Sequence, residues 1–147
     1  MKRTADSLVI RVDAHPDIAA LRALMLASWD EPTQADFEAI WSRSLAHLCA
    51  FSDGTLVGYV NIAWDGGAHA SVFDTTVHPD HQRQGIGMAL VKEAARVAQE
   101  RGAEWLHVDF EPRFAGFYSA CGFALTEPRG RGSSPSNREC GALVGCG

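Results

Sequence analysis

Two hydrophobic periods alternate along this chain. Leu8, Ile10 and Val12 recur at every second position and predict a first strand. Asp13 to Pro16 turns the chain, and the spacing then lengthens. Ile18, Leu21, Leu24 and Met25, with Leu26 a further candidate, mark the apolar stripe of a helix from about Pro16 to Ser28. Trp29-Asp30-Glu31-Pro32 interrupts it. Thr33 opens a second helix, with Asp36 three residues on as an approximate capping box. Phe37, Ile40, Trp41, Ser44, Leu45 and Leu48 give that helix its buried side. The period then returns to two. His47 to Phe51 reads as a strand, Asp53-Gly54 as a two-residue hairpin turn, and Thr55 to Trp64 as the returning strand. Asp65-Gly66-Gly67 turns again, and Ala70 to Val77 completes a three-stranded meander. A helix from about Gln84 to Glu100 turns Ile86, Leu90, Val91, Ala94 and Val97 inward and stops at Arg101-Gly102. Trp105 to Phe110 is a strand, the segment after Pro112 a short helix ending near Cys121-Gly122, and Phe123 to Thr126 a last strand.

An antiparallel meander joined to a β-α-β-α-β unit predicts an α/β fold with one mixed sheet and helices on both faces. Residues 1–127 form the expected domain. Residues 128–147 are rich in Gly, Ser and Arg, and only Ala142 to Val144 resembles a strand, so a mobile C-terminal tail is expected.

Composition narrows the partners more than the fold. The 147 residues suit one domain, and a hydrophobic fraction of 46% is enough for a packed core. No apolar run approaches the roughly 20 residues that span a bilayer, so no membrane partner is expected. The opening MKRTADSLVIRV lacks the continuous apolar core of a signal peptide, which makes the cytoplasm the expected compartment. A net charge of −5 argues against nucleic acid, whose backbone rewards clustered Lys and Arg. Cys49, Cys121, Cys140 and Cys146 form no CxxC pair, and no metal site is expected. Cys49 and Cys121 sit among apolar residues as small hydrophobes, while Cys140 and Cys146 lie in the Gly-rich tail.

Candidate chemistry concentrates in Asp74 to Leu90, DTTVHPDHQRQGIGMAL. A strand breaks at His78-Pro79, passes through polar residues and meets Gly85-Ile86-Gly87 where a helix begins. Amides in a first helical turn lack intrahelical acceptors, and the helix dipole adds about half a positive charge there. Glycine clears side chains from the approach, so this stretch is an expected anion site. His78 and His81 lack a third ligand and read as turn residues. His69 and His107 are open between proton relay and ordinary polar residues.

Gln82-Arg83-Gln84-Gly85-Ile86-Gly87 resembles the Q/R-x-x-G-x-G/A motif of the GCN5-related N-acetyltransferase (GNAT) superfamily. Phe117-Tyr118-Ser-Ala-Cys-Gly122-Phe123 resembles its second, FYxxxGF-like motif. The resemblance covers about residues 5 to 126 and implies acetyl transfer from acetyl-CoA, as co-substrate, to a primary amine of a small molecule, protein or peptide. The backbone of Val77 would hydrogen-bond the pantetheine arm. The amides of Gln82, Arg83, Gln84, Gly85, Ile86, Gly87 and Met88 would cradle the pyrophosphate. Tyr118 matches the position of a general acid that protonates the departing sulfur.

A free amine is largely protonated at neutral pH and needs a base before it can attack. Asp74 is a carboxylate among Val72, Phe73 and Val77, and burial there would raise its pKa. Asp109 and Glu111 end the neighbouring strand and are alternatives, or line an acidic acceptor pocket. Glu111 departs from the Asn often found there in the family. Trp29 is the expected wall of the acceptor site, and Trp41 an expected core residue. Dimers are common in the resembled family, which leaves a homodimer open. A non-catalytic acyl-CoA-binding domain is the alternative reading. A P-loop nucleotide site is disfavoured because no Gly-Lys-Ser/Thr ending follows the glycines.

Overall fold

Alternating residues pair into a mixed sheet built around the expected meander. The computed structural model describes residues 7–126 and 139–144. Strands β1 (Leu8–Val12), β2 (Ser44–Ser52), β3 (Thr55–Trp64) and β4 (His69–Val77) pair antiparallel in sequence order. Strand β5 (Trp105–Phe110) joins β4 in parallel after the crossover helix α3 (Ile86–Glu100). Helices α1 (Ile18–Trp29) and α2 (Phe37–Arg43) link β1 to β2, and α4 (Ala115–Ala120) precedes β6 (Ala124–Thr126). Strand β7 (Glu139–Val144) lies between β5 and β6, so the spatial order is β1-β2-β3-β4-β5-β7-β6.

Local chemistry explains the hairpin at the centre of the sheet. Asp53 and Gly54 both take positive φ, 50° and 80°, and Ser52 faces Thr55. Two left-handed residues match the right-handed twist of the flanking strands, which an Asp-Gly pair tolerates. Helix α3 buries Ile86, Leu90, Val91, Ala94, Val97 and Ala98 on one sheet face against Leu48, Val60 and Ile62. The opposite face carries Leu21, Leu24 and Met25 of α1 and Phe37 of α2 against Cys49 and Tyr59. Alternate residues of β3 thus feed two separate cores. Gly58 permits close approach of α3, because a Cβ there would stand 2.8 Å from Leu90 Cδ1.

Several boundaries differ from the sequence reading. The second helix starts at Phe37 with Asp36 itself as cap, its carboxylate accepting from the Ala39 amide at 3.1 Å. Thr33 caps only a local turn, accepting from Ala35. Ser44, Leu45 and Leu48 belong to β2 rather than to the helix. Their spacing is helical, and the pairing of Ser44 with Ala63, followed by a register shift at Leu45, decides for the strand. Leu26 stands 48% exposed, outside the α1 stripe.

The last part of the sheet also differs. A mobile tail was the expectation for 128–147, yet Glu139–Val144 pairs along the whole of β5 and with β6. The final strand therefore meets β5 only through β7. Residues 128–138 and 145–147, including Cys146, lie outside the described residues. Buried Cys49 and Cys121 are free thiols packed in the core, as small hydrophobes would be.

Candidate active site

The site begins where two parallel strands separate. Strands β4 and β5 pair from His69↔Trp105 to Val72↔Val108 and no further, although β4 continues to Val77 and β5 to Phe110. On the other side of β4, Tyr59 faces Thr76 while Asn61 faces Phe73, so β4 carries one extra residue between those pairs. The bulge leaves Asp74 and Thr75 opposite Val60, with Asp74 at φ 57°. An extra residue bends the strand and shifts its alternation by one. Val72 lies in the α3-side core, and beyond the bulge it is Val77 that packs on that core. Thr76 turns to the other face, against Trp29 and Met25.

Past Val77, a short 3-10 turn over Pro79–His81 carries the chain to α3. His78 Nδ1 accepts from the Asp80 amide at 3.1 Å and caps that turn, which fits the turn reading of the His78/His81 pair. Arg83 and Gly85 take positive φ, 64° and 81°, and Gly85 is the N-cap of α3. No side chain caps this helix, and its first turn holds no acidic residue. A Cβ on Gly85 would meet nothing within 4 Å, so the space above the helix start is open. Uncapped amides, an open approach and no repelling carboxylate are what a pyrophosphate group requires. Gln82, Arg83 and Gln84 stand exposed around the opening, whereas Ile86 is buried beneath it. Gly87 lies close to both neighbouring elements, since a Cβ there would stand 3.4 Å from the Phe117 ring and 3.5 Å from Val77 Cγ2. Met88 packs partly buried on the α3-side core. The Val77 carbonyl accepts long bonds from Gln82 Nε2 at 3.3 Å and Ser28 Oγ at 3.4 Å.

Tyr118 stands on this same side of the sheet. It is 8% exposed and surrounded by Phe110, Phe117 and Phe123, with ring centroids 5.0, 5.0 and 5.7 Å away. Burial raises its pKa, the Thr75 hydroxyl opposes that rise, and Cys121 adds to it. A phenol held protonated in an apolar pocket can act as a proton donor. Phe117 is partly buried against the same core, as expected of a packing residue.

The other face holds the remaining candidates. Trp29 is 54% exposed, and its indole N–H donates to Thr76 Oγ1 at 3.0 Å. Asp74 lies on the surface rather than buried, yet desolvation by surrounding protein still raises its carboxyl above the ordinary range. Its charge reaches the fully buried Tyr59, whose hydroxyl accepts from Trp41 Nε1 at 2.9 Å. Trp41 is thus a packing residue, stacked flat on His47. Asp109 is exposed at the penultimate position of β5, paired through its backbone with Cys140. The Glu111 carboxylate is engaged by Arg113 Nε at 2.8 Å.

Tyr118 and the uncapped start of α3 therefore share one face at the opening, and Asp74 and Trp29 share the other. His69 and His107 hydrogen-bond to each other at 2.8 Å at the far, closed end of the β4–β5 pairing. Thr75, on the same face as Tyr118, was not among the expected site residues. Its signal in the sequence is the polar run Asp74-Thr75-Thr76, which breaks the alternation of an otherwise apolar strand.

The Acetyltransferase (GNAT) family model matches residues 16–123, and the chain belongs to that family. Mycothiol acetyltransferase of Mycolicibacterium vanbaalenii is 41% identical over 66 residues, 45% of this chain and 22% of that protein. Serotonin N-acetyltransferase 2, chloroplastic, of Oryza sativa subsp. japonica is 32% identical over 95 residues, 65% of this chain and 46% of that protein. The chain thus spans less than half the length of either relative. Among solved structures, the ribosomal-protein-S18-alanine N-acetyltransferase of Escherichia coli superposes with TM-score 0.74 at 20% identity, covering 94% of both chains. A GNAT-family acetyltransferase of Streptococcus pneumoniae gives TM-score 0.76 at 23% identity over 93% of this chain and 98% of that one. These likenesses establish the fold.

Proposed function

We propose that this protein transfers an acetyl group from acetyl-CoA to a primary amine of a small molecule, protein or peptide. The observation that carries this reading is the opening between β4 and β5, flanked on one face by the uncapped start of α3. Family membership supports the donor. A solved neighbour, N-acetylglutamate synthase of Neisseria gonorrhoeae, was crystallised with coenzyme A and N-acetyl-glutamate. In this chain the amides from Gln82 to Met88 hold the pyrophosphate, and the backbone at Val77 lines the pantetheine arm.

Bound acetyl-CoA supplies the acyl group as an activated thioester. The residues of this chain manage two protons around it. Asp74, on the α1/α2 face, takes a proton from the incoming ammonium directly or through water, as its raised pKa favours. Tyr118, on the α3 face, holds a proton at its phenol oxygen for the departing sulfur. Trp29 forms one wall of the acceptor entrance. Asp109 and Glu111 border its far side and favour a cationic acceptor, with Glu111 first having to release Arg113.

Two measurements test this. Saturating acetyl-CoA is expected to raise Tm, since a ligand at 100 times its Kd stabilises the native state by about 2.7 kcal/mol, whereas ATP is not. An unchanged Tm with acetyl-CoA would remove the donor assignment. A panel of amines is then expected to release free thiol from acetyl-CoA. Binding without release from any amine would favour the non-catalytic acyl-CoA-binding domain.

A further inference from the structure

Thr75 has a hydroxyl with no explained purpose. Its Oγ1 is fully buried and forms no hydrogen bond among the described residues. Leaving a buried hydroxyl unpaired costs roughly 1–3 kcal/mol, so such atoms are rare in native structures. The Asp74 bulge is what puts it there. Without the extra residue, Asp74 and Thr76 would follow Val72 onto the α3 face, and Thr75 would point to the α1/α2 face. With it, Thr75 faces the buried phenol of Tyr118. The two side chains interact, yet Thr75 Oγ1 makes no contact of hydrogen-bond geometry among the described residues.

We propose that Thr75 is a positioning residue for Tyr118, whose Oγ–H swings onto the phenol oxygen as that oxygen loses its proton. This rests on the general-acid role given to Tyr118 above. When the O–H bond of Tyr118 breaks and its proton goes to the departing sulfur, the electron pair stays on the phenol oxygen. The Tyr118 ring is packed among Phe110, Phe117 and Phe123, none of which can donate a hydrogen bond to its oxygen. A donor that bonds strongly only to the charged form stabilises the transition state over the ground state. Of the other groups nearby, Cys121 opposes the phenolate, and Lys92 acts on Cys121 from α3. Neither supplies the missing donor.

The chain has two tyrosines, which makes the test direct. Burial raises both phenols, so an alkaline titration followed by phenolate absorbance contains one step from Tyr59 and one from Tyr118. Tyr118→Phe identifies its step. Thr75→Val, which keeps the shape and removes the hydroxyl, is expected to move that step up by about one pH unit, and Thr75→Ser to restore it. In turnover, Thr75→Val is expected to lower kcat about tenfold with KM for acetyl-CoA nearly unchanged. A Tyr118 step that does not move in Thr75→Val would overturn the proposal. So would a Thr75→Ser variant that titrates like Thr75→Val. The absorbance titration needs no acetyl-CoA, so failure of the donor assignment and failure of this coupling are separately visible.

Discussion

The Trp29 indole N–H donates to Thr76 Oγ1 at 3.0 Å, and that same hydroxyl donates to the Asp74 carbonyl at 2.8 Å. The last turn of α1 is thereby fastened to the bulge. Trp29→Phe keeps an aromatic wall and removes the tie, while Thr76 retains its bond to Asp74. Equilibrium denaturation is expected to show a loss of about 1 kcal/mol. KM for the amine that turns over is expected to rise several-fold, roughly in proportion to that loss. An unchanged KM would mean that the bond from Trp29 to Thr76 does not position the wall for the acceptor.

Asp74 makes opposite predictions for rate and stability. As the base it must be ionised, so kcat/KM is expected to fall as pH drops through its raised pKa. Asp74→Asn should remove that limb and lower the rate about 10²-fold or more. For folding, a carboxyl whose pKa is raised in the native state favours the fold at low pH. That contribution is lost as pH rises through the native pKa. Asp74→Asn is therefore expected to melt higher than the parent at pH 7 and no higher near pH 3. A pH–rate profile and two melting series decide both points.

Gly85 combines a left-handed backbone with an open approach. Gly85→Ala is expected to cost roughly 1–2 kcal/mol in the free protein, from φ strain alone. No described neighbour would clash with the new methyl. Calorimetric affinity for acetyl-CoA is expected to fall about tenfold beyond any effect on folding, because the methyl would stand over the amides proposed to hold the pyrophosphate. Equal affinity would place the anion elsewhere.

His47 ties stability to pH far from the site. Its ring is 3% exposed, stacked on Trp41 with centroids 4.1 Å apart, and burial lowers its pKa below 6.5. The unfolded chain therefore takes up this proton before the native protein does. Stability from His47 is expected to be present above pH 6.5 and to be lost as pH falls toward the lowered native value. His47→Gln, which can still donate toward the Ala14 carbonyl, should flatten the decline in Tm between pH 7 and pH 5. A slope equal to the parent's would acquit His47.

Legibility followed from how local each determinant is. Asp53-Gly54 and the run from Thr55 to Trp64 carry their structure in neighbouring residues, and the hairpin formed as read. The inward residues of α3 and the glycines at its start were legible for the same reason. Ser44, Leu45 and Leu48 were not, because their spacing fits a helix and only the pairing with β3, with its shift at Leu45, overrides it. Gly141 and Cys140 hid β7, whose pairing depends on the unpaired edges of β5 and β6 rather than on its own propensity. The bulge was hidden more deeply. Asp74 showed as an unusual carboxylate, but the positive φ that hands Thr75 to one face and Thr76 to the other is a property of the β3 pairing.

The insertion of β7 between β5 and β6 also orders events during synthesis. Strands β2, β3 and β4 can pair as the chain emerges, since each meets the next across a short turn. Strand β6 has no such neighbour: its sheet partner begins at Glu139, a dozen residues later. Until that segment leaves the ribosome, β5 presents an open edge and the Tyr118 helix leads into a strand with nothing to hold it. The nascent protein would thus have the loop before α3 in place while the helix that carries Tyr118 is still unfastened.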